Sequence, residues 1–426
     1  MTTVLSALIL TVLGQSSDDP AKTSASSVSR GPFRSVQVNV DGLGANLQGD
    51  AANSPSLAVN PKDPKNLVIG WQHFGSVRSN FRQAGWAYSL DGGASWKPGG
   101  ILQSGAFRSH PNLQADSNGT FYYLSQSSRS STELFRSSDG GKSWKGPEWS
   151  ADRECYSIVT GATIPALRGR CYYLCDNHII RSTQDKVGAI EPLRLPVDVD
   201  VPTIALARDG AVLVAGMIKG RIGVLRMPRG AEFKPSSFVR IGSVDLVGKP
   251  TKNAGPNPGG SLGRLQLAAN PAGPEMYILG SVAPTTPDPL EVKFARSTDG
   301  GHTWSPAVRV NDDAKDSGAW QWFGTMSVAP NGRIDALWND TRSVKKDSVS
   351  RLFYAYSTDG GITWSKNIPV TPPFNSYVGW PQKNSIGSGM SAVSDDEGVS
   401  VAFAATFNRE QDVYFLRIEQ KSLKDK

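Results

Sequence analysis

The sequence predicts an all-β chain assembled from four-stranded antiparallel units, and three observations carry that expectation. One eight-residue pattern, Ser-x-Asp-Gly-Gly-x-Ser/Thr-Trp, occurs at Ser89–Trp96, Ser137–Trp144, Ser297–Trp304 and Ser357–Trp364. A motif that recurs along a chain marks a repeat architecture. Turn signals between short apolar runs recur with it: Asn60-Pro61, Asp116–Gly119, Asp209-Gly210, Asn270-Pro271, Asn331-Gly332 and Asp396–Gly398. The 44 glycines and 28 prolines in 426 residues suit a turn-rich sheet protein.

Each pattern lies after an apolar run such as Gly85–Ser89 or Leu352–Ser357, which makes it the turn of a hairpin. Asp91, Asp139, Asp299 and Asp359 accept hydrogen bonds from the turn's own N–H groups. The glycines take the positive-φ positions that a side chain penalises. Trp96, Trp144, Trp304 and Trp364 are placed to bury a ring against the neighbouring unit. One carboxylate per turn is too few for a calcium loop, so the motif is structural and no metal is expected.

First strands of successive units begin near 55, 111, 157, 202, 262, 323 and 389, which gives seven units. The third, fourth and seventh lack the box. The third is the weakest, with Arg181–Asp185 as a decayed copy, so six units is the alternative. The seventh has three strands before the chain ends. The alternating segment Phe33–Val40 is expected to supply its fourth, closing a ring over residues 33–420 and covering a bare sheet edge. Residues 421–426 form a tail.

Residues 4–13 are apolar and read as the core of a signal peptide spanning 1–15, which predicts a secreted or periplasmic protein. Polar, Ser-rich residues 16–32 read as a flexible leader. Of the three cysteines, Cys171 and Cys175 would share a strand face about 13 Å apart, too far to bond. Cys155 can pair with either, leaving one free; such a bridge suits export. The formal charge of +7 is dispersed and lacks the basic, aromatic-interleaved cluster of a nucleic-acid binder. It suits acidic glycans instead. No cofactor motif is present, and a closed ring is expected to be a monomer.

The eight-residue pattern is the Asp-box, or BNR repeat. The chain resembles sialidases and other secreted bacterial β-propellers over roughly residues 50–420, including Asn53–Pro61, Asn66–Trp71 and Ala336–Arg342. The resemblance implies a single β-propeller whose boxes lie on one rim and whose functional site lies on the other. Strand ends on that opposite rim hold Asn53, Gln72, His73, His110, Arg264, Trp320, Trp322, Asp340 and Arg342. Its loops add Arg78, Arg82, Arg129, Lys345 and Lys346. From these, His73, His110, Arg264, Trp320, Trp322 and Arg342 are the expected substrate-binding residues, and Asp340 is the catalytic candidate. The two tryptophans can stack on sugars or pack between blades. Asp340 and Arg342, two apart, can pair as a structural ion pair.

A sialidase needs three carboxylate-binding arginines, a tyrosine nucleophile activated by a glutamate, and an aspartic acid/base. Where the family opens its first complete blade with Arg-Ile-Pro, this chain has Asn53-Ser54-Pro55, and Ile164-Pro165 follows Thr163. The late Tyr-Ser motif aligns with Gly389-Met390-Ser391, with Tyr377 twelve residues upstream. Glu275 and Glu291 do not stand at clear mouth positions. The expectation is therefore a propeller that binds a glycan or glycoconjugate at its central funnel. If hydrolytic, it is an exo-acting glycoside hydrolase of undetermined linkage, with Asp176 or Asp288 as weak options for the partner of Asp340. The other reading is a non-catalytic scaffold presenting its loops to a protein partner.

Overall fold

The computed structural model describes residues 27–423 apart from 129, 162–166, 168–169, 183–189, 253, 345 and 380–384. The apolar segment 4–13, Arg129, Ile164-Pro165, Lys345 and most of the decayed box at 181–185 lie outside the described residues. No helix among the described residues is long and apolar enough to cross a membrane.

Seven antiparallel sheets form a closed β-propeller. Blade one runs through Ala51–Asn60, Asp63–Phe74, Gln83–Ser89 and Lys97–Leu102. Innermost strands of the next six blades are Ser109–Ala115, Cys155–Thr160, Asp200–Leu206, Gln266–Ala269, Gln321–Val328 and Ser391–Asp395. These fall close to the starts expected from the turn signals, and seven blades replace the six-blade alternative.

Blade seven closes the ring as expected. Phe33–Gln37 pairs with Asp412–Glu419, so the two ends of the chain share one sheet. The expected leader is corrected at one end: Ser27–Arg30 is a strand paired with Phe33–Gln37 and gives this blade a fifth strand. At the other end Gln420–Leu423 forms a short 3-10 turn with Leu423 buried.

The boxes hold the blades together. In the fourth, the Ser357 hydroxyl donates to Asp359 at 2.8 Å and accepts the Gly361 N–H at 2.8 Å, while Thr363 Oγ1 donates to Asp359 at 2.6 Å. Slight burial pushes the Asp359 carboxyl up, but the Thr363 and Ser357 donors outweigh it and bring its pKa down to about 2. The box tryptophans reach the preceding blade. Trp96 meets Phe415 at 5.4 Å, Trp144 meets Trp86 at 6.5 Å and Trp364 meets Phe294 at 5.2 Å. Edge-to-face contacts of this kind add to the stabilisation from burial. Trp304 packs into the cluster shared by blades four and five.

Candidate functional site

The rim opposite the boxes opens on a channel of about 290 Å³ lined by all seven innermost strands. A shared irregularity shapes its mouth. Pairing of the first and second strands slips by one residue at Asn53/Ser56, Ser109/Asn112, Cys155/Ser157, Asp200/Thr203 and Trp322/Thr325. Such bulges bend a strand and re-aim its side chains. At four of them Ser54, His110, Val201 and Phe323 have φ of 50, 48, 49 and 61°. Backbone conformations of this kind are strained for residues with a Cβ, most of all for a β-branched one. Ser54-Pro55, His110-Pro111 and Val201-Pro202 were the sequence traces of these bulges.

One sector of the mouth, across blades one to three, gathers ionisable side chains. His110 Nδ1 lies 2.8 Å from Gln126 Oε1 and 3.5 Å from Glu154 Oε1. The Tyr156 hydroxyl donates to Asp176 at 2.7 Å. Arg82 donates to Ser109 Oγ at 3.3 Å and shares a side cavity with His110 and Glu154. Arg264 enters the channel from blade five, lining it together with His110 and Tyr156. Burial lowers the Arg264 pKa, and neighbouring Glu154 and Tyr156 oppose that. Tyr156 is pushed well up by burial, by its bond to Asp176 and by the charges of Asp176 and Glu154. Arg264 forms no ion pair or hydrogen bond among the described residues.

Glu154, Tyr156 and Asp176 stand together at the open end of one strand pair, Glu154 just before Cys155–Thr160 and Asp176 just after Cys171–Cys175. Cys155 and Cys175 are directly opposed in its two strands and joined by a disulfide, while Cys171 is free and buried. The bridge therefore lies immediately beneath the two carboxylates that flank it in sequence, and the Asp176 N–H donates to the Glu154 carbonyl at 3.0 Å. Of the two pairings left open by spacing, this is the one that forms.

Several expected site residues stand elsewhere. Trp322 is fully buried between blades and donates to Ser350 Oγ at 3.0 Å. Trp320 lies so close beneath Gly255 that a Cβ there would overlap its ring. Trp322 packs the interior and offers no stacking face to a sugar, while Trp320 is half-buried against the same cluster. Asp340 is fully buried, accepting from Trp338 Nε1 at 2.9 Å, Arg342 Nε at 2.8 Å and the Arg342 N–H at 2.8 Å. Burial raises its pKa and Arg342 opposes the rise. Arg342 also reaches Asp312 at 2.6 Å and lies over the Phe353 ring at 4.6 Å. The pair is a structural hub, because every donor and acceptor in it is already used within the fold. His73 and His110 are not brought together. Gln72 faces the mouth, whereas the next residue, His73, turns to Asp50 at 3.7 Å. Asp288 is buried under the backbone of Asp316 and Gly318.

The model of the BNR/Asp-box repeat matches residues 355–366, the fourth box. A sialidase of Clostridium perfringens is 30% identical over 152 residues, which cover 31% of this chain and 38% of that sialidase. The chain thus matches well under half of that relative's length. Among solved structures, the phage phi92 endosialidase superposes with a TM-score of 0.50 at 11% identity, covering 91% of this chain and 69% of that one. An ancestral GH74 enzyme superposes with a TM-score of 0.51 at 13% identity, covering 92% and 51%. At these identities the likeness is one of fold. Boxes, ring and partial sequence match together define a sialidase-like Asp-box β-propeller.

Proposed function

We propose that this propeller binds a carboxylate-bearing carbohydrate at the channel mouth across blades one to three, with Arg264 holding the carboxylate. The observation that carries this reading is Arg264 itself, a guanidinium inside a channel without an ion-pair partner among the described residues. A guanidinium binds a carboxylate through two parallel hydrogen bonds, and partial exclusion of water strengthens them. Arg82 and His110 add donors beside it. Glycosidic cleavage needs two carboxyl groups flanking the bond, and Glu154 and Asp176, opposed at the open end of the bridged strand pair, supply them in this reading. The relatives named as sialidases and the GH74 enzyme accord with a carbohydrate-active role. The protein acts outside the cytoplasm as a monomer: residues 4–13 direct export, the disulfide suits an oxidising compartment, and the ring closes on itself.

Titration calorimetry with N-acetylneuraminic acid, galacturonic acid and neutral hexoses tests the binding reading. An acidic sugar is expected to bind, and Arg264→Ala to weaken it at least about tenfold. Affinity unchanged in that variant overturns the assignment. Turnover of a fluorogenic sialoside or uronide, lost in Glu154→Gln and Asp176→Asn, tests cleavage. A glycan array without binders, on folded protein, favours the protein-partner reading instead.

A further inference from the structure

We propose that the mouth is a groove for an internal stretch of an acidic polysaccharide, cleaved within the chain, and not a pocket for a terminal sugar. This rests on the carbohydrate reading above and adds the form of the substrate.

The rim is uneven. Blades three and four pass from second to third strand in two residues, Asp176-Asn177 and Lys219-Gly220, with Cys175 paired to His178 and Ile218 to Arg221. Blades one, five and six carry the longer connections 75–82, 283–290 and 341–348. On that taller side two further segments, 254–262 and 385–389, lock together over the mouth. Asn257, fully buried, donates to the Gly387 carbonyl at 3.0 Å and accepts the Ile386 N–H at 3.1 Å. Ser376 Oγ donates to the Pro256 carbonyl at 2.9 Å. One side of the mouth is thereby roofed, and the side over blades three and four is low.

Apolar surface stands at both ends of the low side. Phe81 is 46% exposed and meets Phe107 edge to face at 6.2 Å beside Arg82. Val201 is 43% exposed at the bulge where blade four enters the channel. The apolar face of a sugar ring stacks on such surfaces while its hydroxyls stay in water. His110 and Glu154, on blades two and three, lie between the two ends, and Arg264 reaches the channel from blade five. A terminal-sugar pocket needs a wall on every side, and among the described residues this mouth has none over blades three and four.

The test uses α2,8-linked sialic acid oligomers and oligogalacturonates of one to six units with the whole protein. Affinity for the accepted series is expected to rise about tenfold or more from monomer to hexamer. Products are expected in the middle of the length range. Phe81→Ala, at an exposed position, should remove the gain with length. Equal affinity for monomer and hexamer, or release of terminal monosaccharide alone, overturns the groove. If Arg264→Ala abolishes monomer binding while length has no effect, the groove falls and the acidic-sugar site stands. If neither series binds, both fall.

Discussion

Asp50 stands among like charges next to the seam where the chain's two ends meet. Burial, then Asp412 and Glu410, push its carboxyl up to about 8, and burial likewise lifts Asp412 to about 6. His73 faces Asp50 at 3.7 Å, but burial lowers the imidazole pKa, so it does not supply a compensating charge near neutrality. Between the ordinary carboxylate value near 4 and about 8, the folded state keeps a proton that the unfolded state has lost. Stability attributable to this group is therefore full below about pH 4 and declines as pH rises through that window. Asp50→Asn is expected to raise the melting temperature at pH 8 and to leave it nearly unchanged at pH 4. Calorimetric melts at the two pH values check this, and an equal shift at both would contradict it. No sequence pattern marks Asp50, because its environment is built by residues some 360 positions away. The same holds at the mouth, where Glu154 and Tyr156 are joined to Arg264 only by the closure of the ring. Trp320 and Trp322 mislead for a different reason. Period-two aromatics look alike whether they stack on a ligand or fill the space between blades.

The box and the disulfide-bridged hairpin show how single elements fix larger ones. In the first box Gly92 and Gly93 both have positive φ, 75 and 87°. A Cβ on Gly92 would meet nothing within 4 Å, whereas one on Gly93 would overlap the Phe415 ring of blade seven. Gly92→Ala should therefore lose about 1–2 kcal/mol of stability from its backbone conformation alone. Gly93→Ala should lose that and a further ~1–3 kcal/mol from overpacking. Urea unfolding of the two variants separates the terms, and equal losses would refute the contact. The hairpin offers a second experiment. Replacing Cys155 and Cys175 by serine removes a bridge closing 20 residues of chain, with an expected loss of about 3 kcal/mol. It should also weaken acidic-sugar binding, because Glu154, Tyr156 and Asp176 lose their common anchor. Calorimetric titration of the folded double variant reads that second effect. Elements with a repeating turn were legible from sequence, because a box or an Asn-Gly turn acts locally. Ser27–Arg30 was not, because Ser-Val-Ser-Arg holds a single apolar residue, Val28, too few to show an alternation.

Blade seven alone is built from both ends of the chain, its fourth strand being Phe33–Gln37, so closure of the ring rests on that strand. Phe33 is buried, and the strand's backbone pairs with residues 414–416 deep in the chain's C-terminal strand. Asn39 then ties the entering chain to Asp412 at 2.5 Å, and its side-chain oxygen accepts the Val413 N–H at 2.9 Å. The outer strand Ser27–Arg30 lacks this burial, with three of its four residues partly exposed and one exposed. Two truncations should therefore behave differently although they differ by only ten residues. Removing residues 1–30 takes away the fifth strand and the Arg30 contact to the Pro369 carbonyl, yet leaves the closing strand in place. That form is expected to stay monomeric and to melt in one transition within a few degrees of the whole chain. Removing residues 1–40 strips the closing strand and bares the edge of Asp412–Glu419. A bared central edge invites pairing with another chain, so this form is expected to associate or to melt broadly at lower temperature. Size-exclusion chromatography with light scattering, followed by calorimetry, distinguishes the two. A monomeric, cooperatively melting 41–426 fragment would show that the blades cohere without the closing strand, and the box contacts between neighbouring blades would then have to hold the ring unaided.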